Sequence, residues 1–365
     1  MHTIKLFSIL FIAFLITSCN NDDEPCMDGD PGCGPNLPNQ SQQDVIVVNE
    51  GNFGQANGSL SYINREAKSV INDVVSISNG GITTGDVVQS VYHDNLYNRI
   101  FVVSNNESRI LVLDDSSFVQ TAVIETGLSL PRYILTIDDM IYVTNWNSDF
   151  TNSFVAKYNR SDLSFRDNNT GTDPGTEQIY TTDGNNIYVS NNFTNKVQVF
   201  EHGRSSPLKT IPVGFAPNGM ASVYGGSINV ICTDTFGGSN GWIYEIDNES
   251  LTVTDSVPLG IKPNGQLYSD GSQLYFSSGT SIYGFDPRSD FDKDSNEIVN
   301  LDNKVSSIYG FSLDQGYGDI ELNFWVADPK GFTQNGEIHL VNTSSQILQS
   351  YEVGIAPNGF LFLGF

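Results

Sequence analysis

Hydrophobic and polar residues alternate over short stretches of the chain, and turn residues separate these stretches at intervals of about 8 to 12 positions. The stretches are rich in Val, Ile, Tyr, Phe and Thr, and helical periodicity is almost absent. Because successive side chains of a strand point to opposite faces, this pattern predicts an all-β protein. The clearest unit predicts strands at 220–224, 228–233, 242–246 and 251–257.

One phrase recurs along the chain. Residues 213–219, 259–265 and 353–359 each contain a glycine followed three positions later by Pro-Asn-Gly, and the first glycines are 46 and 94 residues apart. Weaker copies between them give a mean step of 45.5 residues, which predicts a repeat array. Proline presets φ, and Asn and Gly tolerate positive φ, so the phrase predicts a tight turn between the last strand of one repeat and the first strand of the next.

The second strand of each repeat ends in a similar way, most often in Asn or Asp. The sequence Tyr142-Val143-Thr144-Asn145 is the signature of the YVTN repeat family, and Tyr188-Val189-Ser190-Asn191 is close to it. The chain therefore resembles that family over residues 44–365. The resemblance implies a seven-bladed β-propeller of four-stranded antiparallel blades. We expect the Asn and Asp side chains to bond backbone two residues further on and to open the loop that follows.

The ends of the chain indicate how such a ring closes. The first predicted strand, at Asp44, is of the second type in the repeat, whereas residues 360–365 form a strand of the first type. The C-terminal strand should therefore supply the innermost strand of the blade built from residues 44–78, and Leu361 should pair near Val47. Closure of this kind removes open sheet edges.

Aromatic residues recur in the predicted loops between second and third strands, with amide residues beside them. In a propeller these loops emerge on the same face as the connections between blades. Exposed aromatics and amides on one face suit a bulky, mostly neutral ligand with amide or hydroxyl groups. The candidate ligand-binding residues are Phe53, Arg132, Trp146, Phe150, Phe193, Asn218, Phe236, Asn264, Phe332 and Asn358. Alternatively, each aromatic fills its own loop and each Asn serves only the turn.

Catalytic constellations are hard to find. In the predicted repeat, His93 falls between a first and a second strand, His202 falls between a third and a fourth strand, and His339 falls in a third strand. They do not converge, and nothing in the sequence pairs two acids on the loop face. We assign no catalytic residues, and an enzyme of the lactonase or lyase kind is retained as an alternative.

An acidic string, with Asp290, Asp292 and Asp294 at alternate positions, resembles the start of a calcium loop. It departs from the EF-hand pattern because Ser295 replaces the glycine at position six and Leu301 stands at position twelve. The expectation is a structural calcium site, with a plain solvated loop as the alternative.

The N-terminus has the pattern of an export signal. Lys5 precedes an apolar run of 11 residues, Leu6 to Ile16, and the run leads into Ile16-Thr17-Ser18-Cys19, which resembles the lipobox of bacterial lipoproteins. We predict a signal peptide at 1–18, lipidation of Cys19, and a flexible acidic, Pro- and Gly-rich linker at 19–43, with ordinary signal cleavage as the alternative. In an oxidising compartment Cys26 and Cys33 could form a disulfide, whereas Cys232 reads as a small core residue.

Charge narrows the choice of partner. The formal net charge is −25, and it becomes −26 when Lys5 is removed with the signal. Nucleic-acid phosphates would be repelled, so no nucleic-acid partner is expected. The chain would contact the membrane only through its lipid, at the outer membrane and exposed on the cell surface.

The lipobox, acidic tether and YVTN propeller together resemble the cobalamin-capturing surface lipoproteins of Bacteroidota, the BtuG type. That resemblance implies a non-enzymatic protein that binds a corrinoid and passes it to a TonB-dependent outer-membrane transporter. Two alternatives stand beside it: a structural or adhesive surface-layer-type protein, and a glycan binder. The fold alone does not distinguish between these functions.

Overall fold

The computed structural model describes residues 44–224, 226–314 and 322–363. Within them, 28 strands and one short helix, α1 (Val74–Ser78), are present. In chain order the strands are β1 (Asp44–Asn49), β2 (Ser59–Asn64), β3 (Ser69–Ile71), β4 (Val88–Asp94), β5 (Arg99–Ser104), β6 (Arg109–Asp114), β7 (Gln120–Ile124), β8 (Pro131–Ile137), β9 (Met140–Asn145), β10 (Phe154–Asn159), β11 (Phe165–Asn168), β12 (Thr176–Tyr180), β13 (Asn186–Asn191), β14 (Lys196–Glu201), β15 (Lys209–Pro212), β16 (Pro217–Val223), β17 (Ser227–Cys232), β18 (Trp242–Asp247), β19 (Thr252–Pro258), β20 (Tyr268–Ser269), β21 (Leu274–Ser278), β22 (Ser281–Phe285), β23 (Glu297–Asn300), β24 (Gly310–Leu313), β25 (Asn323–Asp328), β26 (Asn335–Asn342), β27 (Ile347–Ile355) and β28 (Pro357–Leu363).

These strands form seven antiparallel sheets of four strands, and each sheet is one blade. Blade 1 has the order β28-β1-β2-β3, and blades 2 to 7 each use four consecutive strands, from β4–β7 through β24–β27. The all-β, seven-bladed propeller predicted from the repeat is therefore confirmed. The four strands expected in blade 5 are all present, with ends within three residues of the prediction.

The ring closes as the two ends of the sequence indicated. β28 pairs with β1, so that Leu361 lies opposite Ile46 and Phe360 lies opposite Val47. The C-terminal strand is thus the innermost strand of blade 1, and its other edge faces the axis. A blade can therefore separate from the ring only if the hydrogen bonds between β28 and β1 break.

Seven hydrophobic clusters lie between neighbouring blades, one at each interface of the ring. Tyr142 of blade 3 packs with Ile187 of blade 4, for example, and Trp325 of blade 7 packs with Val47 of blade 1. The core is therefore divided radially rather than concentrated at one centre. Cys232 is buried in such a cluster, as predicted, and burial raises the pKa of its thiol.

Two of the three Pro-Asn-Gly copies are not the tight turn that the sequence predicted, whereas the third, at 263–265, lies outside the strands with Gly265 at a φ of 100°. Pro217 and Pro357 are the first residues of innermost strands, where a missing N–H is tolerated. Positive φ falls on the preceding residues, Ala216 and Ala356, at 53° and 52°. Gly219 instead allows the backbones of two blades to come close together. Its N–H donates to the carbonyl of Gly265 at 2.8 Å, and an added Cβ would lie 2.7 Å from that oxygen.

The Asn and Asp residues that end the second strands connect each blade to the chain entering it. Asn145 accepts from the Ser129 N–H through Oδ1 at 2.9 Å, and Asn191 donates from Nδ2 to the Asp173 carbonyl at 2.8 Å. The expected bond to the backbone two residues further on is made by Asp328, which accepts from Lys330 N at 3.0 Å. These side chains thus hold the entering connection more often than they open the following loop.

The expected signal peptide, the lipidated Cys19 and the Cys26–Cys33 disulfide lie outside the described residues. α1, the helix of the described part, is too short to cross a membrane.

Candidate ligand-binding pocket

A cavity of about 680 Å³ opens on the face that carries the loops between second and third strands. All seven blades contribute to its wall, so it surrounds the propeller axis. One position recurs in the wall from blade to blade, at steps of 43, 45, 41, 46, 45 and 49 residues. The side chains at this position, here called the axial column, are Gln89, Arg132, Glu177, Asn218, Asn264, Tyr309 and Asn358.

Backbone bulges place several of these side chains. In blade 3, Pro131 pairs with Asn145 but Ile134 pairs with Val143, so β8 contains one more residue than β9 over this stretch. Equivalent shifts occur at the start of the innermost strands of blades 2, 4 and 5. A bulge bends the strand and re-aims the side chains beside it. The column residues next to these bulges line the cavity.

Arg132 lies at the centre of one polar group. Its Nε and Nη2 donate to the two carboxylate oxygens of Glu177 at 3.0 and 2.7 Å, and its Nη1 donates to Gln89. The guanidinium carbon stacks 3.8 Å from the ring centroid of Trp146. Burial alone would lower the pKa of Arg132, but the charge and hydrogen bonds of Glu177 outweigh it and raise that pKa. Burial, and then the Glu177 charge, raises the pKa of Tyr133 to about 12.

Glu50 lies at the centre of a second group, formed where blades 1 and 7 meet. Its Oε2 accepts from the Tyr309 hydroxyl at 2.5 Å and from Asn358 Nδ2 at 3.2 Å. Burial, and then the Glu50 charge, raises the pKa of Tyr309. Gln266 adds a cross-axis bond, from Nε2 to the Asn358 carbonyl at 3.0 Å. The wall is thus preorganised by hydrogen bonds between blades.

Aromatic side chains form the mouth of the cavity. Trp146, Phe150 and Phe193 make a three-ring cluster, with centroids 4.9 Å apart for Trp146–Phe193 and 6.2 Å apart for Phe150–Phe193. Phe53 lies on another side of the mouth and is 77% exposed. The indole Nε1 of Trp146 is buried and has no hydrogen-bond partner among the residues described. The mouth therefore offers apolar ring faces above a wall of amides, hydroxyls and carboxylates.

Residues 43–342 match the sequence family described as Domain of unknown function (DUF5074). The chain belongs to that family. No curated protein shows significant similarity to this DUF5074 protein.

Solved structures show the same fold at low identity. The quinonprotein alcohol dehydrogenase-like protein BT1487 of Bacteroides thetaiotaomicron is 12% identical, with a TM-score of 0.62 over 89% of this chain and 79% of that one. The periplasmic gluconolactonase PpgL of Pseudomonas aeruginosa is 15% identical, with a TM-score of 0.63 over 88% and 99%. A functionally unknown protein of Desulfotomaculum acetoxidans is 14% identical, with a TM-score of 0.60 over 88% and 99%. At such identities the likeness concerns the fold alone.

Most of the residues predicted from the sequence meet at the cavity of this DUF5074 propeller. The residues that line it are Phe53, Arg132, Trp146, Phe150, Asn218, Asn264 and Asn358. Phe193 lies behind them against Trp146, and Phe332 packs edge-on against Tyr309 at 4.8 Å. Phe236 is fully exposed and is not part of the cavity wall. Binding by these residues stays a prediction.

Several wall residues were not among the ligand-binding candidates predicted from the sequence. They are Glu50, Gln89, Tyr133, Glu177, Gln178, Gln266, Tyr268 and Tyr309. Three of them, Gln89, Glu177 and Tyr309, occupy the repeat position that holds Asn in the Pro-Asn-Gly phrase. Alignment of that position through all seven repeats, rather than the three that keep Pro-Asn-Gly, would have found them.

Calcium binding by the acidic string at Asp290, Asp292 and Asp294 stays a prediction. Asp292 Oδ1 accepts from the backbone N–H of Asp294 at 2.9 Å, and Asp294 pairs with Lys293. In the described ranges no group of three or more His, Cys, Asp or Glu residues is arranged to hold a metal ion. The string lies in an exposed connection between β22 and β23.

One further motif has no catalytic setting. Residues 237–241 read Gly-Gly-Ser-Asn-Gly, which has the Gly-x-Ser-x-Gly order of a nucleophile elbow. That elbow requires a turn from a strand into a helix. Here the segment lies in the loop between β17 and β18, two strands of one blade. The serine is therefore not presented as the elbow presents its nucleophile.

Proposed function

We propose that this propeller is a binding protein that captures a bulky, neutral, amide- or hydroxyl-rich ligand over its axis without converting it. The observation that carries the proposal is the composition of the cavity: a wall of amides and hydroxyls from all seven blades beneath a mouth of aromatic rings. Such a site can bury apolar ligand faces against the rings and match polar groups at the wall.

A corrinoid is the first ligand class we propose. Its primary amides complement the Asn and Gln side chains of the wall. A cavity of about 680 Å³ holds a molecule of ordinary drug size, and a corrinoid is larger. Its macrocycle would therefore lie across the aromatic mouth with one amide-bearing edge inside the cavity.

A neutral oligosaccharide is the second class, favoured by a different observation. Glu50 and Glu177 supply carboxylate acceptors, for which sugar hydroxyls are suitable donors. Aromatic rings such as those of Trp146 and Phe150 can lie against the apolar face of a sugar ring. The two classes differ in where the ligand makes its main contacts: the mouth for a corrinoid, the wall for a sugar.

The cellular setting belongs to the same proposal. The lipobox at residues 16–19 and the acidic tract at 20–24 support a lipid-anchored protein at the cell surface that hands its ligand to an outer-membrane transporter. Aromatic rings converging on the loop face favour a binding protein over a structural or adhesive one. An enzyme of the lactonase or lyase kind would need an acid–base pair or a metal at the axis.

Calorimetric titration tests the proposal. The protein is titrated with cyanocobalamin and with neutral oligosaccharides, and each mixture is incubated and examined for altered ligand. Saturable binding of one class with the ligand recovered unchanged supports the proposal. Conversion of the ligand would favour the enzyme, and the absence of heat with every member of both classes would favour the structural protein.

A further inference from the structure

The two carboxylates of the cavity wall have different electrostatic environments. Glu177 is neutralised by a bidentate pair with Arg132, at 3.0 and 2.7 Å. Glu50 forms no ion pair within the described part of the chain, and Arg132 is the only basic residue among the described residues that line the cavity. The formal charges of Glu50, Glu177 and Arg132 therefore sum to −1, and the formal charge without a paired cation is that of Glu50.

Glu50 is also held rigidly. Its backbone N–H donates to the Ala356 carbonyl at 2.9 Å, and its own carbonyl accepts from Val88 N at 3.0 Å. The side chain is fixed in turn, because Oε2 accepts from Tyr309 and Asn358. A carboxylate held at both the backbone and one oxygen is preorganised, since little freedom remains to be lost on binding.

The second oxygen of Glu50 is available. No donor of the described residues bonds to Oε1, whereas a carboxylate can accept several hydrogen bonds. The neighbouring Asn358 also has a buried Oδ1 with no partner among those residues. Because Asn358 Oδ1 is shielded, Glu50 Oε1 is the acceptor that remains for a ligand at this place on the cavity wall.

We infer that Glu50 determines specificity: the cavity selects a ligand edge that donates hydrogen bonds, such as a primary amide or hydroxyl, and rejects the corresponding carboxylate. This inference rests on the proposed function and names the group that the site recognises. A ligand amide or hydroxyl would donate to Glu50 Oε1. A ligand carboxylate would bring a second negative charge beside Glu50 and would supply no donor.

Matched ligand pairs test this specificity. One pair is cyanocobalamin and its monocarboxylic acids, in which one primary amide has been hydrolysed. The other is a neutral galacto-oligosaccharide and an oligogalacturonide. The wild-type protein should bind the neutral member at least about tenfold more tightly than the acid that enters the cavity, because like charges at close range are costly. Salt should reduce the difference.

Variants locate the effect. Glu50→Gln keeps an acceptor for Tyr309 and removes the charge, so the preference for the neutral member should fall to about threefold or less. Glu50→Asp retains the charge and should retain the preference, which keeps the test valid if Glu50→Gln folds poorly. Glu249→Gln removes an exposed charge in a turn on the opposite face and should leave the preference unchanged.

Each outcome bears on a different statement. If the neutral probe binds but Glu50→Gln discriminates as strongly as the wild type, the role of Glu50 is wrong while the proposed function stands. The same holds if the wild type binds acid and neutral members equally. If no neutral probe of either pair binds the wild type, the proposed function fails and this inference fails with it.

Discussion

Tyr309 donates its hydroxyl proton to Glu50 Oε2 at 2.5 Å, although the two residues are 259 positions apart in the sequence. Tyr309 precedes the innermost strand of blade 7, and Glu50 follows a strand of blade 1. The bond therefore crosses the seam at which the ring closes. It links the stability of that seam to the geometry of the cavity wall.

Replacing Tyr309 by Phe should measure this link. A hydrogen bond to a charged group contributes about 1.5–3 kcal/mol, so Tyr309→Phe should lower the free energy of unfolding by about that amount in chemical denaturation. Tyr268→Phe is the matched control, since Tyr268 lines the same cavity and its hydroxyl has no partner in the described ranges. Equal losses in the two variants would show that the bond to Glu50 adds nothing.

The closing strand offers a second test of the seam. Leu363 is 2% exposed and packs in the cluster between blades 1 and 2. Leu363→Ala should cost about 2–5 kcal/mol, as buried Leu-to-Ala changes do. Leu348→Ala, at a site that is 47% exposed, should change stability by no more than about 0.5 kcal/mol. A melting temperature that falls equally in both variants would mean that closure does not limit stability.

The closure could be predicted because its signal is local. The repeat shows which of the four positions in a blade each strand occupies. The strand at 44–49 occupies the second position and the strand at 357–363 occupies the first, so the two complete one blade. The position of the Asn in Pro-Asn-Gly was predicted less well. A single phrase cannot distinguish a turn from the first residues of a bulged strand, because Pro, Asn and Gly suit both. Pairing across the blade decides between them, and pairing is not local.

The charged part of the wall shows the same limit. Arg132 was predicted as a candidate, but its partner Glu177 lies 45 residues further on and in another blade. Glu50 lies outside the axial column, in the residue that follows β1. Only the ring geometry brings these side chains to one axis. Composition therefore predicted a site rich in amides and aromatics, and not its excess of negative charge.

A pH effect is expected from His339, which is 3% exposed in β26. Burial is the largest effect and lowers the pKa of His339, and the charge of Lys330 lowers it further. The charges of Glu337 and Asp328 raise it, but they do not outweigh burial. The unfolded chain thus binds this proton more tightly than the folded chain. The stability that neutral His339 contributes is fully present above the ordinary His pKa of about 6.5 and is lost as pH falls from there towards the folded pKa.

Thermal melts on both sides of that value should show it. Between about pH 7.5 and pH 5.5 the wild type should lose more stability than His339→Gln, because the variant has no imidazole to protonate. His202→Gln, in the connection after β14, reports the effect of losing a histidine elsewhere. Parallel pH profiles for the wild type and His339→Gln would contradict the expectation.

The lipid anchor is tested in cells. Cys19→Ala removes the residue that the lipobox predicts to be acylated, so the protein should move from the membrane fraction to the soluble fraction. Cys232→Ala is the control, since Cys232 is buried in the propeller. Retention of Cys19→Ala in the membrane fraction would rule out a lipid on Cys19 as the only anchor.

The aromatic mouth should supply much of the binding free energy. Trp146 lines the cavity, covers the Arg132 guanidinium at 3.8 Å and packs on Phe193 at 4.9 Å. Removing one large aromatic anchor costs about 2 kcal/mol or more, roughly thirtyfold in affinity. Trp146→Ala should weaken the binding of cyanocobalamin by at least that factor in calorimetry. Tyr224→Ala removes an exposed aromatic in the turn between β16 and β17, on the opposite face, and should not.

Two further variants separate the roles of the ring. Trp146→Phe keeps a ring beside Arg132 and should recover part of the affinity, whereas a loss equal to that of Trp146→Ala would assign the role to the indole itself. Phe236 is fully exposed and outside the cavity wall. The double variant Trp146→Ala/Phe236→Ala should therefore bind no more weakly than Trp146→Ala. A further loss would place the ligand over the loop between β17 and β18, and full binding by the double variant would remove the mouth from the site.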